Sequence, residues 1–304
     1  MRSIALVLFA IVLVWPVRTL LVRSRWTELT PRAAIVLWQA IGLAVGVAIL
    51  GACFAAASYS DPGTYPRQHV TDFTAKLASS HPVRAVHPDQ LFGLTAGLIV
   101  ATLLLGSVVV KAVGLTRTRA RHRMLIDLLS TEHSELSGAF VLDHPHATAF
   151  SLPGLRPRIV VSTGALDALQ GDEVGAVLAH EQAHLRARHD LVLLPFRAFG
   201  SLMPRSRTLA RIDENVTALI EMAADDRAMR QCDPKALVRA LCRLSGADSS
   251  SLALGMTPSA LSRRVERVLT PRRGAKLLVL ESAIAALVVL MVPFVALFGP
   301  IGGR

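Results

Sequence analysis

The sequence predicts a mainly α-helical, multi-pass membrane protein that carries one α+β domain with a small β-sheet. Of the 304 residues, 52% are hydrophobic and only 18% are charged, and the mean hydropathy is +0.47. These values are too apolar for an ordinary soluble domain. The apolar residues also gather in four long stretches, which leave about 160 residues between the third and the fourth for a domain with its own core.

Charge and cysteine content argue against several classes of protein. The formal net charge is +11, but many arginines flank the apolar stretches, and no nucleic-acid-binding module is recognisable. We therefore expect contact with a lipid bilayer and no direct binding of nucleic acid. The three cysteines, Cys53, Cys232 and Cys242, are too few for a disulfide-stapled scaffold or a zinc ribbon, and we expect free thiols.

Each of the four apolar stretches is long enough to cross about 30 Å of hydrocarbon as a helix. They cover residues 4–22, 33–57, 91–115 and 277–298. The first stretch also has features of a secretory signal. Because arginines follow it without a small-residue cleavage site, we favour a retained membrane anchor.

The distribution of Lys and Arg predicts the orientation in the cell membrane. These residues gather between the first two stretches, after the third and just before the fourth, whereas residues 58–90 carry balanced charge. By the positive-inside rule, residues 1–115 form three transmembrane helices with an external loop at about 58–90. Residues 116–276 then form a cytoplasmic domain, and residues 277–304 contain the last transmembrane helix.

The order of elements in the cytoplasmic domain follows from local patterns. Short β-branched or apolar runs predict strands at 139–142 and 159–162, with a third at 146–152. Residues 116–137 are typical of a basic amphipathic helix. Asp172 is expected to cap a helix that runs to about His189, and residues 207–230 predict a second long helix. The apolar run 191–203 is too short to span a membrane, and it belongs either to the core or to the membrane interface.

The most informative segment is His180-Glu181-Gln182-Ala183-His184 in the first of these helices. Two histidines four residues apart lie on one helix face, so that both imidazoles can reach a single Zn²⁺ ion. The intervening glutamate then lies beside the water that occupies the open position of a catalytic site.

A catalytic zinc site needs a third protein ligand, and the second long helix offers one. Glu221 and Asp225 are again four residues apart, a spacing that suits one carboxylate ligand and a second carboxylate that holds an imidazole N–H. The alternative is that both are solvated acids that pair with Arg211 or Arg227.

These motifs resemble those of the membrane-embedded gluzincins, zinc peptidases with an H-E-x-x-H helix and a glutamate ligand on a later helix. The similarity covers most of residues 115–276. It includes His189 after the histidine motif, residues 221–225, and the segment Ser262-Arg263-Arg264-Val265-Glu266-Arg267-Val268-Leu269. The segment 154–161 and the order of spans are most similar to the BlaR/MecR antirepressor family, which is related to the HtpX/CAAX-protease family.

The resemblance implies a zincin-like metallopeptidase domain with a defined set of site residues. Zn²⁺ would be bound by His180, His184 and Glu221, with Glu181 as the general base. Asp225 and His189 would lie behind these ligands and orient them. For the residue that stabilises the oxyanion, the candidates are His189 itself, Arg227 and His144. Residues 147–151 form either the strand that binds a substrate or a purely structural strand.

The function implied is that of a zinc-dependent endopeptidase that cleaves a cytoplasmic or membrane-proximal protein. By similarity to the antirepressors, this substrate would be a transcriptional repressor of the BlaI/MecI type. Two alternatives stay open: a membrane protein quality-control protease of the HtpX type, and a non-catalytic membrane signal transducer with a structural metal.

Overall fold

The computed structural model describes residues 2–16, 21, 24–58, 71, 75, 78, 88–133, 136, 139–154, 156–247, 258–270 and 275–298. The chain forms two compact units. The apolar unit comprises Met1–Val108, Phe199–Ile212 and Lys276–Arg304. The site unit comprises Val109–Ala198 and Asp213–Ala275.

The described residues contain eleven helices and four strands. The helices are α1 (Arg2–Pro16), α2 (Arg25–Leu29), α3 (Pro31–Ser58), α4 (Pro88–Leu129), α5 (Thr163–Ala168), α6 (Gly171–Ala187), α7 (His189–Leu202), α8 (Arg207–Ala228), α9 (Pro234–Ala247), α10 (Pro258–Leu269) and α11 (Ala275–Phe298). The strands are β1 (Ser130–His133), β2 (Ala139–Leu142), β3 (Ala149–Leu152) and β4 (Arg158–Ser162).

Three of the described helices are long and apolar enough to cross a membrane. Their apolar parts are Pro31–Ala57 in α3, Gln90–Leu128 in α4 and Lys276–Phe298 in α11. They contain the predicted spans at 33–57, 91–115 and 277–298. Their length and composition are compatible with a membrane protein, while the multi-pass topology and its orientation stay predictions.

The first predicted span, at 4–22, corresponds only in part to α1. This helix has 15 residues, about 22 Å at 1.5 Å per residue, which is shorter than the hydrocarbon layer. It packs on α3, where Leu6 and Ala10 meet Ala48 and Ala52. Most of the remainder of this span, and most of the predicted external loop at 58–90, lie outside the described residues.

The four strands form one sheet in the order β1-β2-β4-β3. β2 and β4 are parallel, whereas β1 pairs antiparallel with β2 and β3 pairs antiparallel with β4. The strands predicted at 139–142 and 159–162 are confirmed, and the one predicted at 146–152 is confirmed over 149–152. Within the described sheet, β3 has a single neighbouring strand and forms an edge.

The helix predicted at 116–137 is wrong at its C-terminal end. α4 ends at Leu129, and the next four residues form β1 instead. In β1, Ser130 pairs with Leu142 and His133 pairs with Ala139. Pairing with a strand that follows later in the chain decides this segment, and local helical periodicity does not reveal it.

The N-terminus of α6 also differs from the prediction. Gln170, and not Asp172, is the N-cap, and it forms a capping box with Glu173. Glu173 Oε2 accepts a hydrogen bond from the backbone N–H of Gln170 at 3.0 Å. The Glu173 side chain is buried and pairs with Arg239 at 3.0 Å and Arg243 at 3.2 Å. These two ion pairs attach α6 to α9.

The C-terminus of α6 comes two residues before the predicted end at His189. Arg188 adopts a left-handed conformation with φ 49°, and its backbone N–H bonds back to the carbonyls of His184 and Leu185. This is a common way to end a helix, although glycine is the usual residue there. His189 therefore begins α7 with a new direction.

Two apolar clusters bury opposite sides of α6. One joins α6 to the sheet and to α5 and α9, through Ala147, Val161, Ala165, Leu169, Val174, Val177 and Ala240. The other contains mostly alanines, namely Ala176 and Ala179 of α6, Ala228 of α8, Ala236 and Leu237 of α9, and Val268 of α10. Small side chains allow helices to approach closely, which brings α6 and α8 near each other.

Substitution of Gly164 by alanine should lower the free energy of unfolding by about 1–3 kcal/mol. A Cβ atom at this position would overlap the backbone carbonyl of Pro145. The N–H of Gly164 also donates to His144 O at 3.0 Å, which holds that loop in place. Chemical or thermal unfolding of the purified protein in detergent measures the effect.

Gly175→Ala is the matched control for this prediction. Gly175 is exposed in α6, and an added Cβ would meet nothing within 4 Å. Because alanine is the better helix former, this change should stabilise the protein by about 0.5–1 kcal/mol. Equal effects of the two substitutions would contradict the packing argument for Gly164.

Candidate metal centre

The structure brings His180, His184 and Glu221 together from two helices. The Nε2 atoms of the two histidines, one turn apart on α6, are 3.1 Å from each other. Glu221 of α8 lies 3.4 Å from His180 Nε2 and 3.6 Å from His184 Nε2. Each residue offers one possible ligand atom, and these three atoms all lie within 4.8 Å of one another.

These distances fit a tetrahedral metal ion. With bonds of 2.0–2.1 Å, the donor atoms of a tetrahedral zinc site lie about 3.3 Å from one another. The observed spacings bracket this value, and two imidazoles with one carboxylate are donors that suit a divalent transition metal. Among the described residues, this cluster is the one group that meets the geometric requirement for a metal site.

Asp225 lies behind His180, one helical turn beyond Glu221. Its Oδ1 atom is 3.0 Å from His180 Nδ1, the ring nitrogen that faces away from Glu221. The Asp225 side chain is 1% exposed, so it is not a solvated helix acid. A carboxylate in this place fixes the orientation of the imidazole and leaves Nε2 available to a metal.

His189 makes the corresponding contact with His184. The Nδ1 atoms of the two rings are 3.0 Å apart, and the rings meet edge to face at 88°. His189 is buried at the start of α7, and the next residue, Asp190, forms an ion pair of 2.5 Å with Arg119 of α4. The imidazole of His184 is thus held on its far side, as that of His180 is.

Arg264 of α10 belongs to the segment 262–269 that carries part of the resemblance, but its sequence context predicted no role for it at the site. It is 4% exposed and binds Asp225 with two hydrogen bonds of 2.7 and 2.8 Å. Its Nη1 atom lies 3.2 Å from Glu221 Oε2. The available signal was the pair Arg264 and Arg267 on one face of a short helix, since Arg267 makes a parallel contact with Asp226.

The charges around the cluster shift the pKa values of all three candidate ligands. Burial lowers the pKa of His180, but its contacts with Asp225 and Glu221 outweigh burial and raise it to about 10. Burial, with the neighbouring charge of His180, lowers the pKa of His184 to about 4. Burial raises the pKa of Glu221, but His180 and Arg264 reverse this and lower it to about 2. The site therefore favours a cation among its donors, and without a metal His180 carries the proton.

Glu181 belongs to α6, and its carboxyl group lies next to the edge strand β3. Burial raises the pKa of its carboxyl group above the ordinary value, and hydrogen bonds from the hydroxyl and the backbone N–H of Ser151 in β3 reduce the shift. A carboxylate whose pKa is raised toward neutrality is suited to accept and return a proton. The candidate strand predicted at 147–151 thus contributes a residue that touches Glu181.

The three candidates for oxyanion stabilisation are in different surroundings. His189 contacts His184, as described above. The exposed His144 lies against His146, and its Nδ1 atom accepts a hydrogen bond of 3.3 Å from the backbone N–H of that residue. Arg227 is half-buried on α8. The choice among them stays open.

Comparison with known proteins shows similarity to metallopeptidases over part of the chain. Residues 116–210 match Peptidase family M48. The chain is also 30% identical over 142 residues to the plastoglobule-localized metallopeptidase 48, chloroplastic, of Arabidopsis thaliana. The aligned part covers 41% of this chain and 40% of the relative, so the chain matches less than half of the relative's length. No solved structure is significantly similar to the chain.

The match supports the general part of the sequence prediction, a metallopeptidase domain. It includes α6 with both histidines, whereas Glu221 lies beyond residue 210. The third ligand is therefore supported by distances in the structure and not by the match. The narrower resemblance to the BlaR/MecR antirepressors stays a prediction.

Zinc binding to the metal-free protein should release about one proton at pH 7. His180 is protonated there because its pKa is raised to about 10, while His184 is already neutral and Glu221 already ionised. Ligands bind zinc in their deprotonated form, so the affinity should rise roughly tenfold per pH unit between pH 6 and 9. Calorimetric titration with Zn²⁺ in buffers of different ionisation enthalpy counts the proton.

Two adjacent acids on α8 provide the controls for this titration. Asp225→Asn removes the carboxylate that stabilises the His180 imidazolium and should reduce proton release. Asp226→Asn removes an acid that pairs with Arg267 instead and should leave proton release unchanged. A zinc affinity that does not vary between pH 6 and 8 would contradict the assignment.

Replacing Arg264 by methionine should destabilise the protein strongly. The change leaves the buried Asp225 carboxylate without its bidentate partner, and breaking a buried pair in this way costs about 3–5 kcal/mol. Arg158→Met is the comparison, since the Asp127 carboxylate that it leaves behind is 52% exposed, so that the pair should contribute less than about 1 kcal/mol. Unfolding midpoints of the two variants test the difference, and Arg264→Lys should fall between them.

Proposed function

We propose that the protein is an integral-membrane, zinc-dependent endopeptidase. The observation that carries this proposal is the convergence of His180, His184 and Glu221, with Glu181 next to the first histidine on the same helix. The match of residues 116–210 to a metallopeptidase family supports it independently of the geometry. The three long apolar helices support attachment to a membrane, which we take to be the cell membrane, with the site unit in the cytoplasm.

The composition of the cluster favours a catalytic site over a structural one. Structural zinc sites are closed by four protein ligands, whereas catalytic sites have three and keep one position open. Three candidate ligands converge here, and a carboxylate with a raised pKa lies beside them. A non-catalytic signal transducer with a structural metal explains neither feature.

Zinc held by these residues would supply the Lewis acidity that activates water and polarises a peptide carbonyl. Asp225 and His189 keep the two imidazoles in the orientation that directs their Nε2 atoms toward Glu221, where the three residues would hold the metal. The Glu181 carboxylate accepts the proton of the attacking water and delivers it to the nitrogen of the leaving amine. The raised pKa of Glu181 makes it a stronger base for the first transfer.

The free edge of β3 is well suited to bind an extended substrate. In antiparallel pairs, alternate residues direct their N–H and C=O groups away from the neighbouring strand. Ser162 N–H bonds to Thr148 O across the β3–β4 pair, so Ala149 and Ser151 direct their backbone groups outward. Because Ser151 N–H interacts with Glu181, the N–H of Ala149 and the carbonyl groups of both residues are the ones offered to a substrate. Pairing at this edge would place a peptide beside Glu181 without requiring a particular sequence.

We propose that the substrate is a protein. The first candidate is a transcriptional repressor of the BlaI/MecI type. The second candidate is damaged membrane proteins, which an HtpX-type quality-control protease would cleave. The resemblance in residues 154–161 and in the order of spans favours the first. Substrate trapping with a Glu181→Gln variant distinguishes them. A bound winged-helix repressor supports the signalling role, and a mixture of membrane proteins supports quality control.

Glu181→Gln should abolish proteolysis while zinc stays bound. The amide is nearly isosteric with the carboxylate but cannot accept the proton, so the cleavage rate should fall at least 10²-fold, the usual contribution of such a group. Cleavage of labelled casein by the full chain in detergent measures activity, and metal analysis measures zinc.

Gln182→Ala, at the adjacent position of α6, serves as the matched control and should retain activity. Loss of zinc in His184→Ala, together with loss of activity on chelation, completes the test. A Glu181→Gln protein that cleaves casein at the original rate would exclude Glu181 as the general base.

A further inference from the structure

The turn between α7 and α8 belongs to the apolar unit, whereas the chain on either side of it belongs to the site unit. α7 begins with His189 and α8 carries Glu221, yet residues 199–212 group with the candidate membrane spans in the apolar unit. We call these residues the α7–α8 tip. By its sequence, the apolar run 191–203 fits either the core or the membrane interface.

Exposure of its side chains argues against a core position for the tip. Leu202 is 36% exposed and Met203 is 59% exposed, and the residues that follow them are mostly exposed as well. Adjacent exposed Leu and Met side chains at the end of a helix are unfavourable in water. Together with the charges around them, these side chains make the tip a candidate contact surface.

The charge of the tip indicates which surface covers it. Arg205, Arg207 and Arg211 are exposed, and no acidic residue occurs between positions 199 and 212. Long arginine side chains can lie along apolar surface while their guanidinium groups bind phosphate. Apolar side chains at the centre with arginines around them are typical of segments in the interface of an anionic bilayer.

We propose that the α7–α8 tip inserts into the headgroup region of a bilayer that contains anionic lipids. Leu202 and Met203 reach the boundary of the acyl chains, and the three arginines bind lipid phosphates. The tip is thus a second membrane contact, separate from the long apolar helices. Its positive charge agrees with the cytoplasmic side that the positive-inside rule assigns to this region.

If the protein is the proposed peptidase, a tip held in the membrane also restricts where its substrates can lie. About 21 Å of helix separates Arg207 from Glu221 in α8, at 1.5 Å per residue. A tip held at the headgroups keeps the ligand carboxylate within this distance of lipid. The preferred substrate is then a protein segment close to the membrane surface, either next to a transmembrane helix or in a protein bound to the bilayer.

The test uses the full chain in lipid nanodiscs. In a variant with Cys53, Cys232 and Cys242 replaced by serine, Met203→Cys carries an environment-sensitive fluorophore, and Asp167→Cys carries it in a control protein. Asp167 is exposed in α5 of the site unit. Nitroxide attached to lipid near the headgroup reports lipid contact, and iodide reports contact with water. No cleavage is measured, so failure here is distinct from failure of the peptidase proposal.

We expect nitroxide lipid to quench the fluorescence at position 203 at least twofold, and iodide to quench it little. At position 167 we expect strong quenching by iodide and little quenching by nitroxide lipid. Quenching by lipid should be stronger in phosphatidylcholine with phosphatidylglycerol than in phosphatidylcholine alone. Joint replacement of Arg205, Arg207 and Arg211 by glutamine should remove that difference.

Three results would overturn the proposal. Quenching at position 203 by iodide alone would show a tip in water. Protection from both quenchers would show that protein covers it, either this chain or a second copy. Equal lipid quenching with and without phosphatidylglycerol would refute recognition of anionic headgroups.

Discussion

The candidate metal centre depends on how the site unit accommodates negative charge away from water. Glu181, Glu221 and Asp225 lie close to one another, and Asp225 is buried almost completely. Isolated carboxylates in such surroundings are strongly unfavourable. Arg264 contributes one compensating charge and contacts both Asp225 and Glu221. If all three carboxylates are ionised, one divalent cation in addition to Arg264 would balance their charge, so a bound metal and the arginine would be complementary parts of one buried charge arrangement.

Helix α6 links this charge arrangement to the core. Its N-terminus is held by Glu173 and two arginines of α9, and its sides are covered by the sheet and by alanine-rich contacts. The break at Arg188 is equally important for the site. In a continuous helix, His189 would be rotated by about 140° from His184. The left-handed residue redirects the chain, so that His189 contacts the imidazole and α7 begins there.

The edge strand and the metal centre are joined through a single residue of α6. Glu181 receives hydrogen bonds from Ser151 of β3, and its neighbour His180 is a candidate ligand. Binding of an extended peptide and activation of water would therefore take place on adjacent parts of one surface. In the proposed peptidase, this proximity lets backbone pairing position a peptide bond near the base, so that affinity depends little on the side chains of the substrate.

Features that depend on residues close together in the chain could be predicted from the amino-acid order. The spacing of His180 and His184 and that of Glu221 and Asp225 follow from helical periodicity. The three strands and the long apolar helices follow from local runs of apolar residues. Tertiary structure decided what depends on distant partners. Strand β1 exists because it pairs with β2, Gln170 replaces Asp172 as the cap because Glu173 is buried against α9, and Arg264 comes to the site from another helix. The local sequence pattern does not predict this strand, this cap or the position of Arg264. They depend on burial and on charge pairing between distant segments, which exist only in the folded chain.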